Sequence, residues 1–128
     1  MSANPDFKQC LIDKTQASLV DFVAGIQDAF RANENDLNDI PIDSTVDWAR
    51  NVLRSSQDVK SPDPVRQALI DDLREFVKDI RKCFTKNAND LNDIPFSFVD
   101  DNATALLDRA GYVAPVVSSP AVKRRAPA

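Results

Sequence analysis

The chain has 128 residues, with 16 Lys and Arg against 20 Asp and Glu and no His, a formal net charge of −4. This length and a hydrophobic fraction of 43% suit one small domain with a modest core. The lack of His removes the commonest general base near neutral pH and every Ser-His or Cys-His nucleophile pair, and the acidic balance gives no general attraction to nucleic acid.

The N-terminus, MSANPDFKQ, lacks the basic-then-apolar layout of a signal peptide, and no apolar run reaches membrane-spanning length. A cytoplasmic chain without a membrane partner is expected. Asn4-Pro5 places a capping residue before a proline at the first helical position. From there Leu11, Thr15, Leu19, Phe22, Ile26 and Phe30 recur at steps of three or four, with Val23 alongside. That spacing predicts a long amphipathic helix with this stripe in the core.

The connector that follows, Asn35–Pro41 (NDLNDIP), returns unchanged as Asn89–Pro95. It is the centre of a longer internal match, in which Asp21–Ser44 reappears without a gap as Glu75–Phe98, 54 residues later. Phe22/Phe76, Val23/Val77, Ile26/Ile80, Phe30/Phe84 and Asn33/Asn87 are identical across it. Upstream, Gln9–Asp13 echoes Gln67–Asp71 with four extra residues in the first copy, about one helical turn. Such self-similarity predicts two units of like architecture, about 5–56 and 63–111.

The alternating Asn and Asp of the connector invite a calcium reading, but the spacing does not fit. An EF-hand loop needs oxygen ligands at positions 1, 3 and 5, Gly at 6 and Glu at 12. Counting from Asn33 places Leu37 at position 5, Asn38 at 6 and Ser44 at 12. No metal is therefore expected. Instead the Asn and Asp side chains would turn the backbone, Leu37/Leu91 and Ile40/Ile94 would plug the core, and Pro41/Pro95 would set the exit direction.

Ser44 with Asp47 resembles a capping box and predicts the start of a shorter helix carrying Trp48, Val52 and Leu53. Ser55–Pro62 reads as a polar linker. Asp63-Pro64 then opens the second long helix, with Val65, Leu69, Leu73, Phe76, Ile80 and Phe84 on its apolar stripe and Val77 alongside. After the second connector, Asp100 or Asp101 is the expected start of a helix ending at Ala110, with Gly111 as its C-terminal cap. Residues 113–128, rich in Pro and Ala with Lys123, Arg124 and Arg125, are expected to be a disordered basic tail. The fold class expected is all-α, with residues 1–112 forming a four-helix-bundle-like domain of two helix hairpins.

Chemistry finds little footing. Gly25 and Gly111 stand alone, so no phosphate-cradling loop exists, and no catalytic residue or cofactor is expected. Cys10 and Cys83 align with Ala68 and Ala29, which favours packing residues over ligands or nucleophiles.

The second long helix has a row of cations, Arg74, Lys78, Arg81, Lys82 and Lys86, where the first has Val20, Ala24, Gln27, Asp28 and Ala32. The row suits phosphate contacts with nucleic acid, duplex RNA included; its ordinary alternative is pairing with Asp71, Glu75 and Asp79 on the same helix. In the first half the small apolar residues leave a broader apolar face. Val20, Ala24 and Trp48 are therefore the expected partner interface, whether for another protein or for a second copy of the chain. The expected function is that of a non-enzymatic interaction protein, with a helical nucleic-acid binder as the alternative.

Overall fold

A computed structural model describes residues 5–113 and is all-α. Asn4 of the expected first cap and residues 114–128 of the expected tail lie outside the described residues. Four helices follow in order: α1 (Pro5–Ala32), α2 (Ile42–Ser56), α3 (Pro64–Lys86) and α4 (Phe96–Ala110). Short 3-10 turns at Leu37–Asp39 and Leu91–Asp93 join α1 to α2 and α3 to α4. Each pair thus has the same order: long helix, 3-10 turn, shorter helix.

Several boundaries follow from local chemistry. Asp63 caps α3, its Oδ1 accepting from the Val65 amide at 3.0 Å, with Pro64 in the first turn where its missing N–H costs nothing. Gly111 ends α4 with φ of 70°, a left-handed conformation that suits a residue without Cβ; the Tyr112 amide reaches back to the Leu107 carbonyl. The ends of α1 and α3 are closed by the matching asparagines. Asn33 Nδ2 donates to the Ala29 carbonyl at 2.8 Å, and Asn87 Nδ2 to the Cys83 carbonyl at 3.0 Å.

The shorter helices start earlier than the acidic residues suggest. Pro41 and Pro95 are the N-caps of α2 and α4, without side-chain capping bonds, so neither the Ser44/Asp47 box nor Asp100 or Asp101 opens a helix. A proline in extended geometry lets the next residue enter the helix directly, and its carbonyl takes the first helical bond, from Thr45 in α2 and from Val99 in α4. The Thr45 hydroxyl adds a second donor to the Pro41 carbonyl at 2.6 Å.

The core stripe is as spaced in the sequence over most of its length. Leu19, Phe22, Val23, Phe30, Leu73, Val77 and Phe84 are buried, as are Ile26, Ile80, Leu37, Leu91, Ile40 and Ile94. At the N-terminal ends of the long helices the stripe shifts: Leu11 is 49% and Val65 77% exposed, while Ile12 and Ile70 turn inward. In α1 the buried position moves one residue on, from Leu11 to Ile12, whereas in α3 Leu69 and Ile70 are both buried and only Val65 falls outside the core.

Each shorter helix packs more extensively on the long helix of the other pair than on its own: α2 lies chiefly on α3, and α4 on α1. The pairs are thus interleaved and share one core. Phe30 on α1 packs against Phe84 on α3 and Phe96 on α4, with ring centroids 6.1 Å apart in both cases.

Candidate functional site

The two NDLNDIP connectors meet. The Asn38 Oδ1 accepts from the Leu91 amide at 2.7 Å, and its Nδ2 donates to Asp90 Oδ1 at 2.9 Å. Reciprocally, Asn92 Oδ1 accepts from the Leu37 amide at 2.8 Å and its Nδ2 donates to Asp36 Oδ1 at 3.0 Å. Each aspartate also holds the asparagine of its own turn, Asp36 taking the Asn38 amide and Asp90 the Asn92 amide, both at 3.1 Å. Four side chains and four backbone amides therefore form a closed, two-sided clasp between the halves. Among the described residues no group of three or more His, Cys, Asp or Glu side chains could hold a metal ion.

The clasp has an electrostatic signature. Asp90 is held below the ordinary carboxyl value of 3.8, chiefly by the Asn38 amide group and then by the Asn92 backbone N–H. Asp100 is likewise lowered by its paired bonds from Arg31, at 2.7 and 3.1 Å, and Asp13 by Arg66. A carboxylate whose pKa folding depresses adds stability that is complete above its unfolded value and is lost as pH falls through the folded one. Thermal melting followed by circular dichroism should therefore show a midpoint insensitive to these groups above about pH 5 and falling below about pH 4. In Asp90→Asn, which retains an acceptor oxygen, that fall should be shallower.

The proposed apolar face resolves differently. Val20 and Ala24 are 8% and 7% exposed and belong to the bundle's own core, so in the folded chain they offer no surface to a partner. Trp48 stays 40% exposed but lies edge-on to Phe22 at 4.8 Å between centroids. Its ring also covers Gly25, where an added Cβ would come within 2.6 Å of Trp48 Cη2. Gly25 is thus the seat of the indole.

The basic row divides. Arg74 turns inward, its Nε donating to Ser56 Oγ at 2.9 Å and its guanidinium reaching the Leu53 carbonyl at 3.4 Å, so it finishes the C-terminal end of α2. Lys78, Arg81, Lys82 and Lys86 are exposed, and among the described residues none has an ion pair or side-chain hydrogen bond. The four ion pairs of the described residues lie elsewhere: Arg31–Asp100, Arg50–Asp47, Arg66–Asp13 and Arg109–Asp72. The pairing with Asp71, Glu75 and Asp79 that would make the row an ordinary charged face is absent at salt-bridge distance.

These four cations, with Leu53, Glu75, Asp79 and Thr85, line an open depression of about 550 Å³ along the seam of α2 and α3. Comparison with the matching seam of α1 and α4 shows how it arises. There Gln27 donates to Thr104 Oγ1 at 2.8 Å and Arg31 clamps Asp100, tying the two helices together. By sequence alignment the counterparts are Arg81 facing Arg50, and Thr85 facing Val46. Arg50 bonds Asp47 within its own helix and Thr85 bonds the Arg81 carbonyl, so at these positions no tie crosses the seam, and the helices are joined instead by Arg74 at the end of α2. The lysines at 78, 82 and 86 stand one turn apart on α3, a like-charge column that works against the helix. Lys86 sits in the last turn and gains from the helix dipole; Lys78 is too far from that end to share the gain.

Cys83 is half-buried beside this row, and burial, with Asp79 adding, pushes its thiol up, away from the reactive thiolate. Cys10 is exposed and both cysteines are free. No helix of the described residues is long and apolar enough to cross a membrane. No protein-family model, curated protein or solved structure matches the chain.

Proposed function

We propose that this is a non-enzymatic interaction protein that binds another macromolecule through its helical surface, with the α2/α3 seam as the binding face. The observation that carries the reading is the set of four cations, Lys78, Arg81, Lys82 and Lys86, lining a concave seam without ion pairs among the described residues. Like charges one turn apart on a helix repel one another, and an anionic surface laid on them would relieve that repulsion.

A nucleic-acid partner is the second reading, favoured by the same cations. Two features weigh against it. Glu75 and Asp79 sit within the depression, and the whole chain carries −4, which opposes a duplex bearing one negative charge per about 1.7 Å.

Lysine footprinting tests the reading without naming the partner. In a concentrated native extract, acylation of Lys78, Lys82 and Lys86 should fall severalfold relative to purified protein, while Lys14 and Lys60 react equally in both. Equal labelling of all five lysines would remove the seam as a binding face.

A further inference from the structure

Resting on the seam as the binding face, we infer a specific partner chemistry: an acidic amphipathic helix of another protein, laid along α2 and α3. Its carboxylates would face Lys78, Lys82 and Lys86, and an apolar side chain would rest on Leu53.

Spacing is the first support. The three lysines recur every four residues, so their attachment points advance about 6 Å at a time along the axis. A second α-helix lying alongside presents carboxylates at the same interval when Glu or Asp occurs at i, i+4 and i+8, so the two columns stay in register. Shape is the second support. The depression is lined by the half-buried Leu53 together with the lysines, whose aliphatic stems can take apolar contact while their ammonium heads stay wet. A phosphate backbone has nothing to place on Leu53, whereas an amphipathic helix brings an apolar stripe next to its acidic one.

Charge complementarity completes the match. The depression holds four cations and two carboxylates. An acidic helix that also carries an occasional Lys or Arg can answer Glu75 and Asp79, which a uniform polyanion cannot. The α1/α4 seam is crossed by Gln27–Thr104 and Arg31–Asp100 where the α2/α3 seam has Arg81 and Thr85, so one partner helix per chain is expected.

Fluorescence anisotropy on the full chain tests this with three labelled probes. They are a peptide helix with Glu at i, i+4 and i+8 beside a Leu stripe, a scrambled peptide of the same composition, and a duplex RNA. The patterned peptide should bind saturably and more tightly than the other two. Lys78→Glu/Lys82→Glu/Lys86→Glu should weaken it on the order of tenfold or more, as should Leu53→Asp, which keeps the basic column. Circular dichroism melting of both variants separates loss of binding from loss of fold, and Lys82→Gln serves as a milder change should the triple variant misfold. Equal binding of patterned and scrambled peptides would overturn the inference by showing attraction without register. Tighter, steeply salt-dependent binding of RNA, unmoved by Leu53→Asp, would overturn it in favour of nucleic acid. Either outcome leaves a positive lysine footprint standing, so the two tests fail separately.

Discussion

Replacing both Asn38 and Asn92 by alanine is expected to lower the unfolding free energy by about 3 kcal/mol, since a partly buried amide left without its acceptor costs roughly 1–3 kcal/mol. Each asparagine spans the halves: Asn38 serves Leu91 and Asp90, and Asn92 serves Leu37 and Asp36. The single variants should each destabilise, and their effects should not add, because the two side chains belong to one closed cluster. Urea unfolding read by tryptophan fluorescence and by circular dichroism would measure both quantities. If the connectors only turned the chain locally, each single change would be worth a few tenths of a kcal/mol and the pair would sum simply.

Phe84→Ala should cost about 3–5 kcal/mol, the range for deleting a buried aromatic ring. Its ring is fully buried against Phe30, which in turn meets Phe96, so the void would open where helices of both halves converge. Against a total stability of about 5–15 kcal/mol, that loss removes a large fraction of the margin that keeps the chain folded. Phe98→Ala is the control. That ring is 66% exposed, and its removal should shift stability by no more than about 0.5 kcal/mol. Comparable losses at the two positions would mean that the packing around Phe84 has been misplaced.

The sequence carried the helix class and most of the buried stripe, because periodicity is a local property of the chain. It carried the Asp63 and Gly111 caps for the same reason: each is decided within a few residues. What it could not carry were partners chosen across the molecule. Leu11 and Val65 obey the helical spacing but lie outside the core. Val20 and Ala24, small and apolar, look like a face until the bundle closes over them. Arg74 is indistinguishable from its basic neighbours until the end of α2 comes within reach.

The clasp did leave a trace that was open to reading. Leu, Ile and Pro in the connector suffice for plugging the core and turning the chain, whereas the equality of Asp36 with Asp90 and of Asn38 with Asn92 exceeds that need. Polar residues kept identical on both sides of a match are what a mutual contact requires. For the basic seam the trace was the contrast with Asp28 and Ala32 on α1; the missing ion pairs appear only when rotamers and neighbours are fixed.

The interleaving of α2 with α3 and of α4 with α1 has a consequence for biosynthesis. A nascent chain grows at roughly 5–20 residues per second, so α1 emerges from the ribosome seconds before the helix that covers its apolar side has been made. Closure must therefore wait for the last helix, and a message cut short before α4 would release a sticky, chaperone-dependent fragment rather than a smaller working protein.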